Sequence, residues 1–230
     1  MAAAQAPKRP QERRDRSAEV IDAAIQVFYA KGYADASMQD VADRVGVLKG
    51  SLYHYISSKE ELLYNVLSKA HDEAIEIVRR VEETDDRADA RLSLYLSLLG
   101  SWYLANIERV SIYFKEGGQL SGSRAEAVRA QRKSTLAFLC RLLDDAKESG
   151  LVRPDVDTKL ASLMIFGQLN SFPDWYMRHG PYKATVVTRA FVKAVLAALS
   201  APVPVLLAML PDRDEPASST GPSAQWSSTG

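Results

Sequence analysis

The chain contains a single cysteine, Cys140, so no disulfide can form within it, and the composition suits a reducing compartment. Its three histidines, His54, His71 and His179, lie far apart. No HExxH, CxxC, GxSxG or phosphate-loop motif occurs, so nothing in the sequence marks an enzyme, a metal site or a cofactor. No run approaches the ~20 apolar residues of a membrane helix. The start, Met1-Ala2-Ala3-Ala4-Gln5, leads into basic residues without the apolar core of a secretory signal. Net charge is also lacking: 29 Lys and Arg balance 29 Asp and Glu, so any affinity for nucleic acid must come from a local patch. A soluble, cytoplasmic, non-catalytic protein is expected, with no membrane partner and no cofactor.

What is present is helical periodicity. Alternating strand patterns, internal repeats and a βαβ rhythm are all missing. Residues 1–16 read as a disordered basic arm, in which Lys8, Arg9, Arg13, Arg14 and Arg16 outnumber Glu12 and Asp15. This arm either reaches phosphates or a minor groove, or is simply a solvated leader. From Ser17, Val20, Ala23, Ala24, Val27 and Phe28 recur at helical spacing, and Gly32 ends the run. Ser37 with Asp40 forms a near capping box, Gly46 marks a tight turn, and a short helix is predicted from about Lys49 to Ile56. A long helix then runs to about Glu83, where Asp85-Asp86 breaks the pattern. Further helices are predicted at about 87–106, 107–117, 123–149, 157–171 and 184–200. Proline and serine enrichment makes 201–230 a mostly disordered tail. Cys140, in an apolar stretch, reads as a core residue.

Residues 37–59, SMQDVADRVGVLKGSLYHYISSK, have the layout of a helix-turn-helix: two short helices, a glycine-containing turn and an apolar wedge. Val41, Ala42, Val45, Val47 and Leu52 supply the wedge. With these inside, Lys49, Ser51, Tyr53 and His54 must face outward, where they can meet phosphates and base edges. Residues 17–67 resemble the DNA-binding domain of the tetracycline-repressor (TetR) family. The matching pieces are Phe28…Gly32-Tyr33, Ser37…Val41-Ala42…Gly46-Val47 and Leu52-Tyr53-His54-Tyr55…Ser58-Lys59-Glu60…Leu63, with Ile56 where phenylalanine is usual. The resemblance implies an all-α fold. A three-helix DNA-binding domain at 17–60 would precede a helical effector-binding and dimerisation domain at 61–200. It also implies a homodimer on duplex operator DNA, usually as a repressor. Ser37 and Lys59 would hold phosphates; Lys49 and Ser51 would face base edges; Tyr53 and His54 would touch the backbone or thymine methyls.

In the second half, Val187, Ala190, Phe191, Ala194, Val195 and Ala198 form a face suited to a dimer seam. Aromatic residues crowd the central helices among a few polar groups, as in ligand pockets. Tyr113-Phe114-Lys115-Glu116-Gly117, then Gly150-Leu151-Val152-Arg153-Pro154-Asp155, then Leu169-Asn170…Trp175-Tyr176 resemble TetR-type regulators of fatty-acid and steroid breakdown that respond to acyl-coenzyme A thioesters. Those often continue Trp-Tyr-Arg-Pro; here Met177 replaces the arginine, and Ser171 stands where tryptophan is frequent. The implied ligand site consists of Trp102, Tyr113, Phe138, Phe166, Asn170, Phe172, Trp175 and Arg178, the last meeting a phosphate. The alternative is a regulator of the same fold that senses a drug-like or other apolar metabolite and controls efflux. Coenzyme A is highly anionic, so a cation at the pocket mouth separates the two.

Overall fold

The computed structural model describes residues 10–84 and 87–200. Among them the chain forms ten α-helices and no strand: α1 (Pro10–Lys31), α2 (Met38–Val45), α3 (Lys49–Leu52), α4 (Lys59–Glu82), α5 (Ala88–Ala105), α6 (Ile107–Glu116), α7 (Gly122–Glu148), α8 (Thr158–Asn170), α9 (Phe172–Trp175) and α10 (Ala184–Ser200). A 3-10 turn, Gly117–Gln119, joins α6 to α7.

Local chemistry fixes most boundaries. Ser58 caps α4 by accepting a 3.0 Å bond from the Glu61 amide, and Glu60 and Glu61 occupy the positive end of that helix. Asp157 caps α8 in the same way, through the Leu160 amide. Gly46 takes φ +76° after α2, and Val47 N–H reaches back to the Ala42 carbonyl at 3.0 Å, a closure that a residue with Cβ adopts only at a cost.

Two apolar clusters result. The first joins α1, α2 and the N-terminal half of α4 around Phe28, Val41, Leu52, Ile56 and Leu63, and includes Ile112 of α6 and Val128 of α7. The second is built on α5 and takes in Ile77 and Val81 of α4, Leu139 and Leu143 of α7, Leu169 of α8 and Val195 of α10. One uninterrupted helix, α4, therefore contributes to both.

Three expectations change. Helix α1 begins at Pro10, inside the stretch read as disordered; proline's fixed φ suits a first helical turn, and the charged run that follows is compatible with helix. Lys8, Arg9, the Asp85-Asp86 break and the tail 201–230 lie outside the described residues. The α10 face is divided. Val187, Phe191 and Val195 are buried within the subunit, where Phe191 meets Phe172 edge to face at 5.8 Å and Thr188 faces Ser101 of α5. Only Ala190, Ala194 and Ala198 of the expected face stay exposed, beside Val186. Cys140 is half-buried between α7 and α8, its Sγ 3.3 Å from the Ser162 hydroxyl.

Candidate nucleic-acid interface and interior cavity

The reading surface starts at Ser37. Its hydroxyl accepts from the Asp40 amide at 3.2 Å and its own amide donates to Asp40 Oδ2 at 2.8 Å, which completes the capping box, and the hydroxyl also donates to Asp40 Oδ2 at 2.7 Å. Lys31 and Ser37 together hold the Asp40 carboxyl down to about 2. Ser37 is thus a cap, and the amides of Met38 and Gln39, first in α2, are the groups there without an acceptor inside the helix. Lys59 is half-buried; its Nζ donates to the Ala34 carbonyl at 3.0 Å and sits 4.4 Å from the Tyr33 ring centroid. It ties the start of α4 to the α1–α2 turn.

The wedge is as the spacing predicts: Val41, Ala42 and Leu52 are buried, with Val45 and Val47 half-buried at its rim. Lys49, Tyr53 and His54 face solvent, and Ser51 is half-buried beside them. Helix α3 ends at Leu52, four residues short of the expected end. Past it, His54 and Tyr55 bond back three residues, to Ser51 and Leu52, while Ile56 turns into the core. β-Branched and aromatic residues favour that departure from the helix. Leu48, 80 % exposed, joins the surface unpredicted. Of Val47 and Leu48, adjacent in sequence, only one could enter the wedge, and that was the available signal.

Behind this unit lies a cavity of about 220 Å³. Its walls come from five helices: Ala70, His71 and Ala74 of α4; Leu99, Trp102 and Tyr103 of α5; Val110, Tyr113 and Phe114 of α6; Arg132, Thr135 and Leu136 of α7; Leu163, Phe166 and Asn170 of α8. Few lining groups are polar. Tyr103 Oη donates to Asn170 Oδ1 at 3.2 Å, and burial raises the pKa of both Tyr103 and Tyr113. Burial also pushes His71 below the usual imidazole range, which keeps it neutral at pH 7. The exposed lining residues, Phe114, Arg132 and Leu163, mark the mouth. The Arg132 guanidinium stacks 4.7 Å from the Tyr113 ring centroid and donates to the Tyr113 carbonyl at 2.8 Å. Gly117 makes room for it, because a Cβ there would lie 2.6 Å from Arg132 Nη2.

The family model described as "Bacterial regulatory proteins, tetR family" matches residues 20–66, and "Tetracyclin repressor-like, C-terminal domain" matches residues 85–199. The chain belongs to the TetR family. Within it, the HTH-type transcriptional repressor KstR2 of Mycolicibacterium smegmatis is 28 % identical over 198 residues, covering 84 % of this chain and 94 % of that protein. The solved structure of the ketosteroid transcriptional regulator KstR2 of Mycobacterium tuberculosis superposes with TM-score 0.75 at 26 % identity, over 86 % of this chain and 97 % of that one. The fold is also that of AibR, solved in complex with isovaleryl coenzyme A and operator DNA (TM-score 0.71, 23 % identity, 82 % of this chain and 100 % of AibR).

In this TetR-family chain the cavity brings together four of the eight expected ligand residues: Trp102, Tyr113, Phe166 and Asn170. The other four lie elsewhere. Phe138 is core, edge to face with Tyr95 at 5.0 Å. Phe172 packs on Phe191 and Trp175, and Trp175 itself is half exposed. Arg178 turns to the α5–α6 junction, where it donates to the Ala105 carbonyl at 2.8 Å near Glu108. Sequence reasoning missed the α4 alanines, which carry no aromatic signal, and Arg132, which reads as a solvated charge.

Several polar contacts join the cavity helices to the reading unit, among them that of Lys69 of α4, which donates to Asp22 of α1 at 3.0 Å. Glu116, at the end of α6, accepts from the Tyr33 amide at 3.2 Å. Glu60 of α4 accepts from the amide and hydroxyl of Ser121, at 2.9 and 2.8 Å, and these bonds together with Arg124 lower its pKa.

Proposed function

We propose that this regulator reads a two-fold operator as a homodimer and is released from it by an acyl-coenzyme A thioester. The 17–60 unit would read DNA and the 61–200 unit would sense, with α4 common to both. Lys49, Ser51, Tyr53 and His54 supply the base-edge and backbone contacts, and the Met38 and Gln39 amides a phosphate contact. The observation that carries the effector assignment is the cavity: an apolar interior of aromatic and aliphatic side chains with Arg132 at its mouth. That pairing suits a hydrocarbon tail on an anionic carrier. The AibR complex with isovaleryl coenzyme A and the fatty-acid and steroid regulators among the relatives support the same class. No described helix is long and apolar enough to cross a membrane, and we place the protein in the cytoplasm with its operator.

Titration of the operator complex with acyl-coenzyme A, the free acid and coenzyme A in separate arms tests the assignment. Only the thioester should displace DNA. One feature favours the drug-sensing alternative: among the lining residues Arg132 is the sole cation, since His71 is neutral. Displacement by the free acid or by an apolar drug, but not by the thioester, would decide for it. Release requires only that the ligand bind the non-reading form more tightly than the reading form.

The reading surface has its own test. Tyr53→Ala should weaken operator binding about tenfold on every sequence with unchanged helicity, since a backbone contact carries no sequence preference. Lys49→Ala should lower the slope of log affinity against log salt by about one if it meets a phosphate, and should relax base preference if it meets a base edge. Unchanged binding by both variants, in fluorescence anisotropy across a salt series, would place the DNA elsewhere.

A further inference from the structure

Accepting the acyl-thioester reading, the size of the cavity sets which acyl groups qualify. A dry hydrocarbon cavity of about 150 Å³ holds one benzene ring, or about 25 Å³ per carbon. Pockets for drug-sized ligands start near 300 Å³. At about 220 Å³ this one takes roughly nine carbons. A four-ring steroid nucleus of roughly 17 carbons would need about 430 Å³ at the same ratio, and a long fatty chain nearly as much.

We infer that the effector is a medium-chain acyl thioester of about eight to ten carbons, and that Ala70 and Ala74 of α4 are the residues that admit it. These two stand one helical turn apart on the same face. Every other lining helix presents at least one large aromatic or aliphatic side chain to the cavity, whereas α4 presents two methyl groups and His71. The open volume is therefore the volume that α4 leaves unfilled. Leu136 of α7 also borders the space and is only half-buried, so its truncation enlarges the cavity with little loss from the core. The inference separates this chain from the ketosteroid regulator that it resembles in fold.

The test is a binding series on the full-length protein by isothermal titration calorimetry, with operator displacement measured in parallel, using butanoyl-, octanoyl- and hexadecanoyl-coenzyme A and a steroid-derived thioester. Octanoyl-coenzyme A should bind at least about tenfold tighter than the other three, a difference of one decade in Kd. Ala74→Phe should weaken octanoyl binding about tenfold more than butanoyl binding, because the shorter chain needs less of the cavity. Leu136→Ala, which keeps α4 intact if Ala74→Phe fails to fold, should shift the optimum toward longer chains. A hexadecanoyl or steroid thioester that binds as tightly as octanoyl overturns the size limit and leaves the acyl-thioester reading standing. Failure of every thioester to bind overturns that reading, and the size assignment with it.

Discussion

Met164→Arg is expected to yield a monomer that binds the operator at least about 100-fold more weakly than the parent, because joining two reading units raises overall avidity by factors of about 10² to 10⁴. Met164 is 66 % exposed on α8, next to Leu163 and one turn from Leu160, both exposed. Val186, Ala190 and Ala194 are exposed on α10. An apolar surface of this kind, with small residues that let helices approach closely, suits burial against the same surface of a second copy around a two-fold axis. A buried guanidinium without a partner at such a seam is costly. Sedimentation velocity reads the oligomeric state and anisotropy the operator affinity. A variant that remains dimeric would move the seam away from α8. A variant that becomes monomeric and keeps full affinity would remove the need for two half-sites.

Glu73→Ala should be the most destabilising exchange outside the apolar clusters. Glu73 Oε2 of α4 accepts from Trp102 Nε1 of α5 and from Arg109 Nη1 of α6, both at 2.7 Å. Arg109 is only 8 % exposed, and its Nε already lacks a partner. Removing the carboxylate leaves a buried cation and an indole N–H unpaired. The loss is about 2 kcal/mol, toward the low end because the Glu73 side chain is itself 36 % exposed. For a domain of this size that lowers Tm by about 4–8 °C in a calorimetric scan. Glu73→Gln, which keeps an acceptor, should lose less. The double variant Glu73→Leu with Arg109→Leu should recover much of the loss, since an apolar pair of similar volume leaves no charge stranded. If Glu73→Ala melts with the parent, Arg109 has found water or another acceptor.

The helical boundaries were legible because single residues set them. The Ser37–Asp40 capping box, Ser58 ahead of α4 and Gly46 after α2 all act within a few residues of themselves, so sequence alone reveals them. The end of α3 was less legible, since Tyr53-His54-Tyr55 can continue a helix or leave it, and the burial of Ile56 decides. The candidate cavity was half legible for a similar reason. Aromatic spacing says which residues point inward, but not whether they meet another ring or an opening. Phe138 meets Tyr95 and Phe172 meets Phe191, whereas Phe166 meets the void. Space is made by what is small, and the α4 alanines announce themselves only once five helices surround them. Arg178 is held away from the cavity by the Ala105 carbonyl, and Arg132 is held at its mouth by the Tyr113 carbonyl, through contacts that no sequence pattern places nearby.

Helix α4 holds 24 residues without proline or glycine, a stiff rod of about 36 Å. Val81 near one end, and Leu62 and Leu63 near the other, are all fully buried, so the rod is seated in both apolar clusters. Ala74 lies about 10 Å from Val81 along the axis and Lys59 about 33 Å. Were the rod to pivot at its Val81 end, a displacement of about 1 Å at Ala74 would arrive as roughly 3 Å of travel where Lys59 meets the α1–α2 turn. Two copies moving in opposite senses would double that, against a groove repeat of about 34 Å. A stiff helix seated in both clusters would carry even a small displacement at the cavity to the reading unit without any segment unfolding.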